Sequence, residues 1–276
     1  MTINKAWETP FDRHNILSRI GMDNVFRISE TEINTVKEAR LMAKFDKSSQ
    51  LPTVFQENNL SILPITRGEY LIGRFQTRDK IAYPAIKPRP VAILQILDFT
   101  NLYSESSALL FAFNSGIIQD IMGSDKVWFT VNGRMSSGSF DFVINDSVFT
   151  SSNYGVSVQN AQVEIDAGYE GRDAFCICEA KNMATEELLI RQLYYPYRLW
   201  QGKISKEIIP VFLVFSNDVF HLFRYGFEDI RIYNSIKLLE HKAYTFADED
   251  ITLNEAIELW KNTKVIAEPT NPQIPI

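Results

Sequence analysis

Two short β-rich runs hold the residues best suited to chemistry. VEIDAGYE carries Glu164 and Asp166, AFCICEAK carries Glu179 and Lys181, and Gly171-Arg172-Asp173 joins them. Paired as a hairpin about that turn, the two position numbers sum to a constant, so Asp166 faces Glu179 and Glu164 faces Lys181. Residues opposite each other on antiparallel strands share a face, as do residues two apart on one strand. Three carboxylates and one lysine therefore converge. A slip of one residue would send one strand's set to the other face. The opposite side agrees with this register: Ile165, Ala167, Cys176, Cys178 and Ala180 would point together into an apolar layer against a helix.

Grouped carboxylates repel one another unless protons or cations neutralise them. A hard divalent cation is the natural partner, and oxygen ligands suit Mg2+, which orients a water, lowers its pKa and stabilises charge building on a phosphodiester. Lys181 adds a fixed positive charge near the attacking water or the pentavalent phosphate. Such a group hydrolyses phosphodiesters without a histidine. The plainer alternative is a salt-bridged hairpin at a solvated strand edge, because an E-x-K tripeptide alone says little. The paired Asp166, the apolar flank FCIC and the helical pattern that follows favour the chemical reading.

Asp166, followed thirteen residues later by Glu179-Ala180-Lys181, resembles the bipartite motif of the PD-(D/E)xK nuclease superfamily, to which most type II restriction endonucleases belong. The resemblance covers about residues 100–227 and includes the order helix, strand, hairpin, helix, strand. It implies that Asp166 and Glu179 bind metal and that Lys181 assists the nucleophilic water. Ile165 stands where the motif has proline, and Glu164 is an accessory ligand that could also serve as the motif acid. Glu105 lies where such nucleases sometimes place another metal-binding glutamate, while as a residue it reads first as a favourable first-turn helix charge. Gln192 resembles the polar helix residue that orients the site in several relatives, although RQLYYPYRLW reads equally as a helix packing aromatics on a sheet.

The activity so implied is that of a Mg2+-dependent, site-specific double-stranded DNA endonuclease, a type II restriction enzyme accompanied by a cognate DNA methyltransferase in the host. A homodimer is implied because two-fold symmetry matches a palindromic site. Restriction is favoured by a compact chain that lacks a P-loop and carries its own additional domain. The same core also serves repair, junction-resolving and RNA-directed nucleases, and an inactive copy would be a DNA-binding module.

Around the hairpin, the pattern predicts an α/β (α+β) fold: a restriction-endonuclease-like core with a central mixed sheet flanked by helices, plus a small N-terminal mixed unit. Ser29/Glu32 and Thr35/Glu38 fit capping boxes for one helix over 29–45, and SILPI and EYLIGRF form a hairpin about Thr66-Arg67-Gly68. Pro84, Pro88 and Pro90 mark a boundary. A helix is expected over 104–123, with Leu109, Phe113, Ile117 and Ile121 on one stripe and Gly123 as its stop. KVWFTV and FDFVI then read as strands about the turn 132–139. Thr185 would cap a helix through LLIRQLYYPYRLW that Pro196 kinks or ends. IIPVFLVF and VFHLFRYGF are a final strand pair, and Thr252/Glu255 would cap a last helix before a Pro-containing tail. The divisions are 1–90 (DNA-binding or dimerisation unit), 91–250 (nuclease core) and 251–276 (helix and tail).

Basic residues gather in two groups. Arg67, Arg74, Arg78, Lys80, Lys87 and Arg89 precede the core, and Arg191, Arg198, Lys203 and Lys206 follow the hairpin. Either group reads as solvated surface or, in a nuclease, as phosphate contacts. Asn132, Arg134 and Ser136 to Ser139, with Ser137 among them, are candidates for a loop entering a groove.

Composition sets the limits. Hydrophobic residues make up 45% and charged residues 22%, the balance of a globular protein. No apolar run reaches the ~18 residues of a membrane span, and the first residues lack a secretory pattern, so a cytoplasmic protein without a membrane partner is expected. Cys176 and Cys178 read as reduced, buried thiols, and His14, His221 and His241 are too scattered for a zinc site. The net charge of −6 excludes a surface that grips nucleic acid everywhere, but not a local basic cleft.

Overall fold

A computed structural model of the protein describes residues 1–94, 102, 104–146, 152–251 and 254. The chain begins with α1 (Ile3–His14), α2 (Ile16–Asp23), β1 (Val25–Ser29), α3 (Glu30–Asn34), α4 (Ala39–Ala43), a 3-10 turn at Ser48–Gln50, α5 (Thr53–Glu57), β2 (Ser61–Pro64) and β3 (Glu69–Gly73). The three strands form an antiparallel sheet in the order β1-β3-β2, and the expected hairpin about Thr66-Arg67-Gly68 is β2–β3. Trp7, Phe11 and Phe55 meet edge to face within this part's own core. The single helix expected over 29–45 is two. Ser29 and Glu32 make the expected capping box. Thr35 Oγ1 then turns back to donate to Glu32 O, and Asn34 Oδ1 accepts from Ala39 N. Such side-chain bonds compete with the helical ladder, so Thr35 closes α3 rather than opening a second box.

The remaining elements are β4 (Arg78–Lys80), β5 (Arg89–Leu94), α6 (Glu105–Asn114), α7 (Ile117–Met122), β6 (Trp128–Ser136), β7 (Ser139–Asp146), β8 (Ser152–Gln159), β9 (Gln162–Glu170), β10 (Ala174–Lys181), β11 (Glu187–Leu189), α8 (Arg191–Gln201), β12 (Glu207–Ser216), β13 (Val219–Phe227) and β14 (Ile236–Ile251). The fold is α+β, built on a mixed seven-stranded sheet in the order β5-β14-β13-β12-β10-β9-β6. β10 and β12 are parallel, and α8 lies in the crossover that such a pair requires. Pro90 sits in β5, an edge strand, where a missing N–H costs least.

Helices cover both faces of the sheet. On one, Leu109, Ile117 and Ile121 of α6 and α7 pack over Ala167, Cys176, Cys178, Ala180 and Val211. On the other, Tyr194 and Tyr195 of α8 pack over Ile165, Phe175 and Ile177. Ile165 was expected with Ala167 and the cysteines; it lies instead on the α8 side, because β9 changes face between the two residues. The α8-side cluster also takes Leu63, Ile65, Leu71 and Phe75 from the N-terminal part and Val156 and Val158 from β8. The β4–β11 pair adds a second tie between the parts.

Other elements differ from expectation for local reasons. The helix over 104–123 breaks at Gly116, whose φ of 77° cannot continue it, while Gly123 ends it as expected. β6 and β7 are strands, but not partners: β6 joins the main sheet, and β7 pairs with the unanticipated β8. Thr185 caps no helix, since β11 intervenes and α8 begins at Arg191. Pro196 stays within α8, its buried ring offsetting one lost backbone bond. β14 was also unanticipated. The helix expected after Thr252 lies outside the described residues. Among the described residues, no helix is long and apolar enough to cross a membrane.

Candidate active site

β10 is an apolar run buried on both faces until Lys181, as befits a central strand with helices above and below. Within it stands Glu179, only 5% exposed and the one charged residue in the buried class among the described residues. The hairpin register is the expected one, with Phe175 opposite Glu170 and Cys178 opposite Ala167. The ladder stops there. Beyond Ala167, β9 continues against β6 alone, as far as Gln162 opposite Ser136. Val131 pairs with Gly168 and Gly133 with Ile165, so Asp166 and Ala167 together oppose the single residue Asn132. This β-bulge turns the strand and re-aims its side chains, which accounts for the change of face between Ile165 and Ala167. Two glycines permit it. Gly133 has φ +90°, and a Cβ on Gly168 would lie 2.9 Å from both Val131 and Phe175.

At the divergence, the backbone N–H of Ala180 donates to Asp166 Oδ2 at 2.9 Å. Lys181 Nζ donates to Glu179 Oε1 at 2.6 Å and to Ala180 O at 3.1 Å, and it lies 3.6 Å from Glu105 Oε1 at the start of α6. Gln192, in the first turn of α8, donates through Nε2 to the same Glu179 oxygen. Five expected residues thus meet: Asp166 from β9, Glu179 and Lys181 from β10, Glu105 from α6 and Gln192 from α8. Glu164 does not join them. It pairs across the strands with Arg134, whose Nε is 3.2 Å from Glu164 Oε1, so the expected convergence of three hairpin carboxylates is corrected to two plus Glu105.

The electrostatics follow from burial. Burial pushes the Glu179 carboxyl up to about 8; Lys181 opposes the rise, and Asp166 and Glu105 add to it. Burial pulls the Lys181 ammonium down, but Glu179, Glu105 and Asp166 outweigh that and hold it above its ordinary range. A buried carboxylate facing two others is most readily ionised beside additional positive charge. The oxygen donors at hand are the carboxylates of Asp166, Glu179 and Glu105 and the carbonyl of Ala180, a hard set that suits Mg2+ rather than a thiophilic metal. Among the described residues, no three His, Cys, Asp or Glu side chains already stand in ion-holding geometry. The fit is therefore one of donor chemistry.

The basic candidates fall into different settings. Arg67 and Arg134 are exposed and share a cleft with Met135 and Gln162. Lys80, Lys87 and Lys203 are exposed. Arg191 opens α8 beside Gln192, 6.0 Å from the Tyr195 ring. Arg74 donates to Asn58 O, Arg89 pairs with Asp120 at 2.9 Å, and Lys206 pairs with Glu170 at 2.5 Å. Arg78 turns inward to Phe45 O and Thr77, and Arg198 to Asp141 O and the Tyr194 hydroxyl. Those two are structural ties. Asn132, Arg134 and Ser136 lie in β6 rather than in a loop, and Ser137 is buried, its hydroxyl donating to Gly138 O.

Cys176 and Cys178 are free, buried thiols. His221 and His241, scattered in sequence, meet on adjacent strands with ring nitrogens 3.1 Å apart. Sequence reasoning missed two features of the site: the Ala180 N–H that holds Asp166, and the bulge opposite Asn132. The neighbouring Gly133 was the available signal for the bulge.

Residues 74–245 match DUF6997, a domain of unknown function, and residues 4–72 match DUF6996, also a domain of unknown function. No curated protein and no solved structure gives a significant match. All five converging residues fall within the first of these segments.

Proposed function

We propose that this chain, which belongs to the DUF6997 family, is a Mg2+-dependent nuclease that hydrolyses double-stranded DNA as a site-specific endonuclease of the restriction type. The observation that carries the reading is the meeting of Asp166, Glu179 and Lys181 where β9 peels away from β10. Asp166 and Glu179 would hold the ion, with Glu105 within reach. Bound Mg2+ would supply an activated water and positive charge against the phosphodiester. The chain's own groups do the rest. The Ala180 N–H fixes the Asp166 carboxylate, the Gln192 amide fixes Glu179, and Lys181 places an ammonium where negative charge grows on the phosphate. Carboxylates held by the β10 main chain and by an α8 side chain are preorganised, so little reorientation is needed during reaction.

On this reading the working form is a homodimer, since a two-fold axis matches a palindrome. Its partners are double-stranded DNA and, through the same sites, a host DNA methyltransferase, all in the cytoplasm. The experiment is digestion of phage DNA by the purified chain with Mg2+. Discrete fragments support restriction. A continuous smear supports a nuclease without site preference, and intact DNA contradicts the proposal.

A further inference from the structure

We propose that the cleft between the β2–β3 turn and β6 binds a backbone phosphate of the DNA strand that enters the active site. The inference rests on the nuclease reading and gives that site a substrate track. Arg67, Arg134, Met135 and Gln162 line the cleft, whose volume is about 330 Å3. It takes one guanidinium from each family-matched segment: Arg67 from residues 4–72 and Arg134 from residues 74–245.

Both arginines stand on fixed supports. The Arg67 turn belongs to a hairpin whose Leu63 and Ile65 are buried in the core cluster, and Ile65 O accepts from Gln159 N at 2.9 Å. Arg134 alternates with the inward Val131 and Met135, which puts it on the same side of β6 as Asn132. Arg67 makes no ion pair among the described residues. Arg134 has only the Nε contact to Glu164, with side chains 64% and 47% exposed. A pair so exposed is worth little, whereas a phosphate offers a guanidinium two parallel charge-assisted bonds. In a chain of net charge −6, two convergent arginines form a local positive focus.

Position links the cleft to the chemistry. Gln162 lies four residues from Asp166 along β9, about 13 Å at ~3.3 Å per residue. A separation of this size is covered by a few nucleotides of one strand, whose rise along the helix axis is ~3.4 Å per nucleotide. Asn132 opposes Asp166 at the active-site end of this span, and Arg134, opposite Glu164, lies between it and Gln162. A strand with one phosphate beside Asp166 and Glu179 can therefore lay another in the cleft.

The test is fluorescence anisotropy of a labelled DNA duplex with the full chain in Ca2+ over a series of salt concentrations. Each phosphate contact contributes roughly 0.9 to the slope of log affinity against log salt, so Arg67→Ala/Arg134→Ala should lower the slope by about two. Its binding at low salt should weaken by about tenfold or more. Glu164→Gln, which frees Arg134, should bind severalfold tighter, a gain that a misfolded variant cannot produce. The inference is overturned if the double variant keeps the wild-type affinity and slope with no gain from Glu164→Gln, or if the wild type does not bind the duplex. If these shifts appear but Mg2+ supports no cleavage, the cleft stands and the nuclease reading falls.

Discussion

The Ala180 backbone N–H donates to Asp166 Oδ2 at 2.9 Å, across the point where β9 and β10 stop pairing. A side-chain carboxylate thus takes the donor that a strand ladder would otherwise have used, and its orientation is set by the main chain. Asp166→Asn keeps an acceptor for that N–H but removes the charge. We expect a thermal midpoint close to wild type and a cleavage rate lower by about 100-fold or more. A variant that cleaves at the wild-type rate would remove Asp166 from the site.

Proton and cation compete for Glu179, whose carboxyl burial pushes up to about 8. Below that value the folded protein holds the proton, so metal binding must release it. The Mg2+ concentration for half-maximal cleavage should therefore fall by about tenfold per pH unit between pH 6 and 8, then level off. Gln192→Ala, which removes the amide donor to Glu179, should weaken metal response or activity by about 10- to 100-fold. A half-maximal Mg2+ concentration that is flat across this range would contradict the assigned role of Glu179.

His241 supplies a stability test away from the chemistry. Burial, reinforced by His221, lowers it to about 4 from an ordinary value near 6.5. Between those values the unfolded chain binds the proton and the folded chain does not, so stability is lost as pH falls from about 6.5 towards 4. With screening of a partly exposed ring allowed for, the loss is on the order of 1 kcal/mol. His241→Phe keeps the parallel contact with the Phe223 ring, 4.3 Å between centroids, and should flatten that part of the profile. Denaturant melts at pH 7 and pH 5 measure the difference. An unchanged difference between the two pH values would rule out His241 as its source.

The hairpin was legible because its two faces impose the same register: Cys176, Cys178 and Ala180 share one apolar layer, which leaves Glu179 and Lys181 the other face. Glu105 and Gln192 came from resemblance, and the structure brings both to Glu179 or Lys181. Glu164 was misplaced because pairing arithmetic cannot show where a ladder ends, and Ile165 because it cannot show a bulge. The unanticipated β8 and β14 carry interleaved polar residues, and their strand character comes from partners distant in sequence, Ser139–Asp146 for one and Val219–Phe227 for the other. Tertiary pairing of that kind leaves little local signal.

The two parts of the chain share one of the core clusters. Leu63 and Ile65, each 1% exposed, pack in the cluster that also holds Ile165, Ile177 and Tyr195. A fragment starting at Val91 would open that cluster and strip β4 from β11, so it should melt without a cooperative transition. In the full chain, Leu63→Ala should cost about 2–5 kcal/mol. A soluble, cooperatively folding fragment would show that the N-terminal part is dispensable to the core.

The most direct test of the central claim is conversion of supercoiled plasmid to nicked and linear forms by the full chain in Mg2+, with Glu179→Gln and Lys181→Ala beside it and Ca2+ as a parallel condition. The account predicts cleavage by the wild type in Mg2+, binding without cleavage in Ca2+, and loss of cleavage in both variants with DNA binding retained. A wild-type chain that leaves the plasmid supercoiled, or variants that cut as fast as the wild type, would contradict it.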